Sequence, residues 1–422
     1  MQLFFRIIFK TFFILTILVG CANIEQIKET GSDALLNQGI ALLGEGQYDL
    51  SINYFNKAIE IKPRFAEAYR NRGFAYRKKG QYDTAIADFT KTIEINPRDT
   101  DAYYNRGLAY FEKGEHDKAI ADYNKVIEIN PRDAEAYRNR GLTYRKKGQY
   151  DTAIADYNKV IEINPRDVMA CHSRGIAYAK KGQYDKAIAD FTKTIEINPR
   201  DADAYYNRGL AYFEKGQYDK AIADYNKVIE INPRDADAYR NRGSAYRKKG
   251  QHDKAIADFN KAIDLNPRHT MAYHSRGIAY AKKGQYDEAI ADYNQVIEIN
   301  PRDADAYYNR GLAYAKGKDQ YDKAISDFSK AIEINPRFAE AYRNRGLAYR
   351  KKGQYDKAIS DFNKAIEINP RFAEAYRNRG LAYFYKRNYE KAWDDVHKAQ
   401  NLGYTVHPRF LKALREASGR LE

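Results

Sequence analysis

The sequence predicts an all-α solenoid of stacked helical hairpins. A unit of the form A-Y-x-N-R-G-x-A-Y-x-K-K-G-Q-Y-D-x-A-I-A-D-F/Y-x-K-x-I-E-I-N-P-R recurs through most of the 422-residue chain. Its proline returns every 34 residues from Pro63 to Pro301, then after 35 residues at Pro336 and after 34 at Pro370. Within the unit, apolar residues fall at helical spacing. A fixed period of this length indicates a stacked array that has no single active-site cleft.

The first helix of each repeat, which we call helix A, is predicted over Ala66–Lys79 in the second repeat. Tyr69, Gly73 and Tyr76 lie four and three residues apart, so they share one face of this helix. A glycine inside a helix costs about 1 kcal/mol relative to alanine. We expect close approach of the next helix to compensate at Gly73, because a Cβ would stand in its way.

The second helix, helix B, follows a turn at residues 80–83, and Asp83 is its expected N-cap. Ala85 and Ile93 mark its buried side. Pro97 ends it, because proline cannot continue the hydrogen-bond ladder and disfavours helical geometry in the preceding residue. The unit is therefore a hairpin with one apolar side, which can be buried only by stacking.

These units resemble the tetratricopeptide repeat family. The matching positions of the second repeat are Tyr69, Gly73, Tyr76, Ala85, Phe89 and Pro97. The resemblance covers eleven repeats, roughly residues 32–406, and implies a right-handed superhelix whose helices A line a concave groove that binds peptides or protein segments. The chain departs from the family at one position, where arginine replaces the usual leucine before the glycine, as at Arg72. We number the repeats 1 to 11 by the helix A glycine: Gly39, Gly73, Gly107, Gly141, Gly175, Gly209, Gly243, Gly277, Gly311, Gly346 and Gly380.

The first twenty residues are predicted to be an export signal peptide. Arg6 and Lys10 form a short basic start, and the following ten residues are uncharged and mostly apolar. The sequence Leu18-Val19-Gly20-Cys21 resembles the bacterial lipobox, which implies cleavage before Cys21 and acylation of its thiol and new amino group. An uncleaved N-terminal membrane helix is the alternative.

Residues 21–31 would then form a lipid-anchored tether at the bacterial cell envelope. Two or more acyl chains give stable anchoring. Ala22 stands where an aspartate would resemble an inner-membrane retention signal. The resemblance therefore favours the outer membrane, facing the periplasm, in a host with two membranes.

At the other end, residues 407–422 are predicted to be a capping helix and tail. Pro408 opens a short segment with Phe410, Leu411 and Leu414 on one side. A terminal repeat needs a polar outer face, and a short amphipathic helix supplies one. Nothing is left over for a catalytic domain, so we expect no enzymatic activity and no cofactor.

The formal net charge of +15 admits nucleic acid, an anionic membrane or an acidic protein as partner. Export argues against nucleic acid, and the tyrosines fall almost entirely in recurrent core or turn positions. Cys171 replaces a core tyrosine and is expected to be a small buried residue. His172 and His274 have no further ligand at metal-binding spacing, so no metal site is expected.

Three positions of helix A, three residues before and four and five after the glycine, form bands that should face the groove. The first of these is basic in repeats 2, 4, 7 and 10 (Arg70, Arg138, Arg240 and Arg343) and tyrosine in repeats 3, 6 and 9 (Tyr104, Tyr206 and Tyr308). Residues 100–201 and 202–303 align without a gap, which indicates a tandem duplication of three repeats. The bands either match an alternating partner or were copied without selection.

An asparagine two residues before the glycine is expected to bind the backbone of an extended peptide. Those singled out are Asn71, Asn105, Asn139, Asn207, Asn241, Asn309 and Asn344. They resemble the asparagine ladder of the superhelix in O-GlcNAc transferases. The alternative is a bond to the neighbouring helix end. The family's clamp for carboxylate tails is disfavoured, because its lysine position is mostly acidic here, as at Glu67.

The arginine before the glycine in repeats 2 to 11 is expected to be structural, because an aspartate accompanies it sixteen residues later, or seventeen in repeat 9; in repeat 1 both are missing together, as Gln38 and Tyr54. The pairs include Arg72 with Asp88, Arg106 with Asp122, and Arg140 with Asp156. Such pairs act more as a registry device than as a source of net stability.

The sequence therefore predicts a lipid-anchored interaction scaffold that binds extended or helical protein segments. An anionic envelope polymer or lipid as ligand, and a non-catalytic subunit that positions an envelope enzyme, remain alternatives. The oligomeric state is left open.

Overall fold

The computed structural model describes residues 31–317 and 319–420, and every regular element in these ranges is a helix. The chain divides into two compact units, Met1–Asn207 and Arg208–Glu422. The described helices form eleven consecutive A–B hairpins and one terminal helix, as the repeat predicts.

Odd-numbered helices from α1 to α21 are helices A, and even-numbered helices are helices B. In the first unit these are α1 (31–44), α2 (Tyr48–Ile61), α3 (Ala66–Lys78), α4 (Tyr82–Ile95), α5 (Thr100–Glu112), α6 (His116–Ile129), α7 (Ala134–Lys146), α8 (Tyr150–Ile163), α9 (Val168–Lys180) and α10 (Tyr184–Ile197). Helix α11 (Ala202–Glu214) contains the boundary between the units. The second unit continues with α12 (Tyr218–Ile231), α13 (Ala236–Lys248), α14 (His252–Leu265), α15 (Thr270–Lys282), α16 (Tyr286–Ile299), α17 (Ala304–Gly317), α18 (Tyr321–Ile334), α19 (Ala339–Lys351), α20 (Tyr355–Ile368), α21 (Ala373–Tyr385), α22 (Tyr389–Asn401) and α23 (Pro408–Ser418).

Within each unit, a helix A packs against helix B of its own repeat and helix B of the preceding repeat. In the first unit, for example, α3 lies against α4 and α2, and it also touches α5, the next helix A. The apolar side of each hairpin is thus covered by its neighbours, which a single hairpin could not achieve.

The core is a strip of helix B aromatic rings that pack on the helix A glycines. Phe89 is fully buried, and a Cβ built on Gly73 would lie 2.9 Å from its Cε1 atom. In the second unit, a Cβ on Gly277 would lie 2.8 Å from Cε1 of the buried Tyr293. The expected close approach at the glycine is therefore confirmed.

The helix caps differ from the sequence prediction. Helix α4 begins at Tyr82 with Gln81 as N-cap, so the prediction of Asp83 as N-cap was wrong. Asp83 instead accepts a hydrogen bond of 2.5 Å from Lys113 of the next repeat. The aspartates that do cap follow the proline turn: Asp99 accepts from the backbone N–H of Ala102 at 2.9 Å. The same cap recurs at Asp133, Asp167, Asp201, Asp235 and Asp303.

The 35-residue spacing before Pro336 predicts an extended turn between helices, with the stacking preserved. Helix α17 instead runs to Gly317, one residue longer than the other described helices A of its unit. Asp319 then adopts a φ of 49°, the left-handed conformation that glycine supplies in most other repeats. Helix α17 still packs against α16 and α18, so the stacking is preserved.

The predicted capping helix is present as α23, which covers the end of the last hairpin. Leu414 is fully buried against Trp393, with Phe410 and Leu411 partly buried beside them. The Trp393 indole N–H donates to the Ser418 hydroxyl at 3.1 Å.

The predicted signal peptide, the acylated Cys21 and all but the last residue of the tether lie outside the described residues. Within the described part of the chain, every helix is too short or too polar to span a membrane.

Candidate binding face of the first helices

Four positions of helix A, lying three and two residues before the glycine and four and five residues after it, contain most of the predicted site residues. We call the surface they form in each unit the A face. A side chain that is fully bound within the fold has little left for a ligand, so the internal partners of each predicted residue limit what it can bind.

The arginine that precedes each glycine is bound to its aspartate within the same repeat. Arg72 donates from Nε to Asp88 Oδ2 at 2.8 Å and from Nη2 to Asp88 Oδ1 at 2.7 Å, and Asp88 is 5% exposed. The same two-bond geometry occurs at Arg106–Asp122, Arg140–Asp156, Arg174–Asp190, Arg208–Asp224, Arg242–Asp258, Arg276–Asp292, Arg310–Asp327, Arg345–Asp361 and Arg379–Asp395. The structure thus brings these pairs together within each of repeats 2 to 11.

The same guanidinium also reaches the preceding repeat, a contact that the sequence reasoning missed. Arg72 Nη1 donates to Asn56 Oδ1 at 2.6 Å, and Asn56 lies on helix α2, sixteen residues earlier. Asparagine, threonine or serine fills this position at Thr90, Asn124, Asn158, Asn226, Asn260, Asn294, Ser329 and Asn363. Burial alone would lower the pKa of Arg72, but its bond to Asp88 and the Asp88 charge raise that pKa above the usual value. One arginine therefore joins two successive helices B.

The arginines three residues before the glycine, which we expected to bind a partner, are bound within the fold to varying degrees. Arg70 Nη1 donates to Asp99 Oδ2 at 3.0 Å, so the aspartate that caps α5 also holds Arg70. Arg138 donates to Asp167 in the same way at 3.1 Å. In the second unit, Arg240 lies 3.4 Å from Asp237, and Arg343 donates to Asn344 at 2.9 Å. Arg70, Arg138 and Arg240 thus each have a carboxylate of the fold nearby. Arg343 is bound to a neutral amide instead, and the Nε atoms of Arg240 and Arg343 are buried without a hydrogen-bond partner.

The tyrosines at this position link one repeat to the next. The Tyr104 hydroxyl accepts a hydrogen bond of 2.8 Å from Asn139, and the Tyr308 hydroxyl accepts one of 2.7 Å from Asn344. Burial, with the Glu135 carboxylate nearby, raises the pKa of Tyr104 to about 12. Tyr206 is half-buried. The hydroxyls of Tyr104 and Tyr308 are thus used within the fold, and burial raises the pKa of both, so both stay neutral.

The asparagines of the expected ladder bind mainly to the chain itself. Asn71 and Asn105 each donate to the carbonyl oxygen one turn earlier in their own helix, at 2.9 and 2.8 Å. Asn139 donates to the Glu135 carbonyl at 3.0 Å as well as to Tyr104, so both of its amide hydrogens are used.

In two members of the ladder the amide is covered. Asn241 is 4% exposed and Asn344 is 7% exposed, so neither presents its amide to a ligand, and the ladder expectation is corrected for both. Half-buried Asn207 and Asn309 contact the Nε2 atoms of His172 and His274, at 3.3 and 3.1 Å. An uninterrupted row of free amides is absent from the described repeats, because the A face uses these groups to join its own helices.

The arginines four residues after the glycine have no carboxylate as salt-bridge partner among the described residues, although Arg77 lies 5.1 Å over the Phe74 ring and Arg145 is close to the Tyr157 hydroxyl. These are Arg77 and Arg145 in the first unit, and Arg247 and Arg350 in the second. All four are half-buried, and their Nε atoms are buried without a hydrogen-bond partner. Salt bridges in the described part of the chain involve none of them, in contrast to the arginines before the glycine.

Burial shifts the pKa of three of these four arginines. Burial lowers the pKa of Arg77, and the Tyr104 hydroxyl and the Glu112 carboxylate counteract this only in part. Burial likewise lowers the pKa of Arg247 and Arg350. A guanidinium that has lost water without gaining a carboxylate is poised to bind an anion.

The remaining candidates have ordinary structural surroundings. Cys171 is buried as a free thiol, as expected for a small core residue. Burial lowers the pKa of His172 and of His274, which favours the neutral ring. Among the described residues, groups of three or more metal-ligating side chains were not found.

Stacked helical hairpins of this length with a polar A face define a tandem helical repeat protein. A model of the TPR repeat matches residues 39–80, 75–114, 107–147, 175–216, 209–248, 279–317, 318–353 and 346–386. Two further models of the tetratricopeptide repeat match residues 134–167 and 236–269, and residues 156–189 and 259–291. The chain therefore belongs to the tetratricopeptide repeat family. Proteins of this family generally act as scaffolds that bind other proteins or peptides.

Several solved structures are similar to this chain. YrrB, described as a TPR protein with an unusual peptide-binding site, is 30% identical, with 46% of this chain and 97% of YrrB covered and a TM-score of 0.40. A tetratricopeptide repeat protein from Parabacteroides merdae is 26% identical over 59% of this chain and 99% of its own, with a TM-score of 0.45. Yeast Tom70 is 17% identical over 93% and 96%, with a TM-score of 0.43. A search of curated proteins found no match.

Proposed function

We propose that this protein is a scaffold that holds extended segments of partner proteins on the A face. In this proposal, acidic side chains of the partner meet the arginines four residues after the glycine. The observation that carries the proposal is the contrast between the two sets of arginines. Arg140, before the glycine, is bound to Asp156 and Asn124, whereas Arg145 on the same helix has no carboxylate.

Energetics support this assignment. The fold has already removed part of the water from each unmatched guanidinium, so a carboxylate that arrives there loses little further solvation on the arginine side. A hydrogen bond to a charged group contributes about 1.5 to 3 kcal/mol. Two such contacts in one unit would be enough to select an acidic partner over a neutral one.

Basic positions alternate with aromatic and acidic ones along the A face, and this alternation favours a protein segment over a uniform polyanion as ligand. In the first unit, α5 lies between α3 and α7 and carries Tyr104, Phe111 and Glu112 at the positions that are basic on its neighbours. Glu112 is close enough to Arg77 to act on its pKa. A ligand with one negative charge at every step would meet Glu112, whereas a peptide can place its acidic residues selectively.

The anionic envelope polymer or lipid is the second candidate, and one observation favours it. Each unmatched arginine is followed by a lysine, at Lys78, Lys146, Lys248 and Lys351, and these lysines are exposed. Basic pairs of this kind attract anionic surfaces in a salt-dependent way. Affinity capture with variants of the unmatched arginines separates the two ligands.

The location at a bacterial cell envelope is part of the proposal. It rests on residues 1–21, where the basic start, the apolar stretch and Cys21 resemble a lipoprotein signal. Acylation would place the repeats close to an outer-membrane surface facing the periplasm. Mass spectrometry of the mature protein should find a diacylated or triacylated Cys21 as the first residue, and Cys21→Ser should release the protein from membranes. An intact signal segment in the mature protein would contradict the anchor.

The binding proposal is tested by affinity capture from detergent-solubilised envelope. The variants are R77Q with R145Q in the first unit and R247Q with R350Q in the second. Captured partner proteins should fall roughly tenfold or more for each double variant. The matched control is R98Q with R132Q, which removes two exposed arginines of the proline turns.

Two outcomes would contradict binding on the A face. The set of captured proteins could be unchanged by the four A-face substitutions, or it could fall equally in the control. Loss of anionic polymer or lipid with no change in bound proteins would instead support the second candidate.

A further inference from the structure

Within the second unit, a cavity of about 220 Å³ opens on the A face between repeats 8 and 9. Ala281 and Lys282 of α15 line one side, and Asn309 and Lys316 of α17 line the other. The rings of Tyr286 and Tyr293, from helix α16, form part of its wall. The cavity thus combines aromatic walls with two lysines.

The cavity lies where two small residues follow one another. The position four residues after the glycine is alanine in both repeat 8 (Ala281) and repeat 9 (Ala315), and no other two consecutive repeats share this feature. Most other repeats carry arginine or phenylalanine there, as at Arg247 and Phe384. Of the two alanines, Ala281 lines the cavity, where most other repeats carry a long side chain at the same position.

The duplicated sequence changes at this place. Residues 304–314 are identical to residues 202–212, but the next two residues are Ala315 and Lys316 where the earlier copy has Phe213 and Glu214. A large ring has become a methyl group, and a negative charge has become a positive one. Lys316 lines the cavity, so the second change makes its lining more cationic.

Gly317 allows α17 to close over one wall of the cavity. A Cβ at this residue would lie 2.2 Å from Cδ2 of Tyr286, a distance that no side chain could occupy. The corresponding residue in repeat 8 is Lys283, which binds Asp253 at 2.5 Å. The lysine-to-glycine change therefore brings the end of the helix against the Tyr286 ring.

The charges at the cavity are unmatched. Lys282 and Lys316 are exposed, and neither forms a salt bridge with a carboxylate of the described residues. Tyr293 is 1% exposed, and burial raises its pKa, so its hydroxyl stays neutral. The cavity thus offers a largely apolar interior and a positive rim, and no carboxylate of the described residues is paired with either lysine.

We propose that this cavity is an anchor site for an aromatic side chain of a partner segment, flanked in that segment by acidic residues. The inference rests on the proposed function, and it adds the side-chain class that one site selects. A cavity of about 150 Å³ already holds a benzene ring, so the observed volume accommodates a phenylalanine ring. Aromatic anchors in such pockets provide much of the binding energy at protein interfaces. The acidic flanks would pair with Lys282 and Lys316.

The test uses the full chain and a fluorescein-labelled peptide that has one phenylalanine between two pairs of glutamates. Fluorescence anisotropy should show saturable binding. Replacing the phenylalanine by alanine, or the glutamates by lysines, should weaken binding at least tenfold. Ala281→Phe should fill the cavity and weaken binding by a similar factor without a change of charge. Lys282→Glu with Lys316→Glu should also weaken it at least tenfold.

Matched controls come from repeat 5, the earlier copy of repeat 8. Ala179→Phe matches Ala281→Phe, and Lys180→Glu matches the change at Lys282, whereas the counterpart of Lys316 is already Glu214. Both control variants should leave binding within about twofold. Circular dichroism melting of each variant reports whether the fold is retained, and the lysine variants keep the test valid if Ala281→Phe unfolds.

The anchor site is overturned if the phenylalanine and alanine peptides bind equally, or if the repeat 5 variants lose as much binding as the repeat 8 variants. Failure of the anchor and failure of the scaffold are distinguishable. If only the anchor site fails, capture of envelope proteins still depends on Arg77 and Arg145, which lie in the first unit, whereas the cavity lies in the second.

Discussion

At the scale of single residues, two kinds of arginine share helix A and have different roles. Arg140 lies inside the fold, where Asp156 and Asn124 take its hydrogen bonds. Arg145, one and a half turns later, is half-buried with no anion beside it. The first holds the repeats in register, and the second is left for a ligand.

Removing the aspartate of one pair tests the registry role. Asp156→Ala should lower the free energy of unfolding by about 3 kcal/mol, because it leaves a partly buried arginine without its partner. Replacing both residues by leucine should recover most of that loss, since no unmatched charge remains. Urea unfolding followed by circular dichroism measures both. Equal losses in the single and double variants would mean that the pair itself, and not the uncompensated charge, stabilises the fold.

The histidines of repeats 5 and 8 predict a specific acid sensitivity. Burial lowers the pKa of His172 and His274 below the unfolded value of about 6.5. The unfolded chain therefore takes up protons first as the pH falls, so stability declines below about pH 6.5 and levels off below the folded pKa. Protonation would also remove the Nε2 lone pairs that Asn207 and Asn309 contact.

Changing both histidines to tyrosine, the residue of repeats 3 and 6, should remove this part of the pH dependence. Melting temperatures at pH 7.5 and pH 5 compare the variant with the parent chain, and the carboxylate contribution is common to both. The same decrease in both proteins would contradict the assignment.

At the scale of the helix, most of the hairpin could be predicted from its own residues. The prediction of Ala66–Lys79 for helix A ended one residue beyond the observed Lys78. The spacing of apolar residues and the proline that ends helix B are visible within one repeat, so they predict the helix bounds without knowledge of the stacking. The true caps could also have been found, because an aspartate follows the proline-arginine turn in most repeats. Asp83 is not the cap because helix α4 already begins at Tyr82, and the Asp83 carboxylate binds Lys113 of the next repeat. A contact between repeats of this kind is hard to predict from the sequence of one repeat.

The glycine of helix A makes the hairpin depend on close packing. At Gly141 a Cβ would lie 3.0 Å from Cε1 of Tyr157 and 3.3 Å from the Ala153 carbonyl oxygen, and a backbone atom moves with difficulty. Gly141→Ala should therefore cost about 1 to 2 kcal/mol, since overpacking exceeds the gain in helix propensity. The matched control is Gly44→Ala, where the space is open and the change should be neutral or stabilising by up to about 1 kcal/mol. Denaturant midpoints measure both, and a stabilised Gly141→Ala would refute the packing argument.

At the scale of the whole molecule, the repeats share their interior and differ on the A face. The arginine–aspartate pairs and the buried rings recur with little change, whereas the A-face positions change from repeat to repeat. Sequence alone could locate those variable positions, but it could not separate Arg70, which the fold neutralises, from Arg77, which it does not. That distinction depends on where Asp99 of the following repeat caps its helix. It emerges only when the repeats are stacked.

Photo-crosslinking from defined positions tests the central claim, that partners lie on the A face, most directly. Benzoylphenylalanine replaces Lys146 of α7 or, as the comparison, Lys159 of α8; both lysines are exposed, but only Lys146 belongs to the A face. Irradiation of intact envelopes should yield crosslinked partner proteins from position 146 and few or none from position 159. Crosslinks that arise equally from both positions, or only from position 159, would contradict the account.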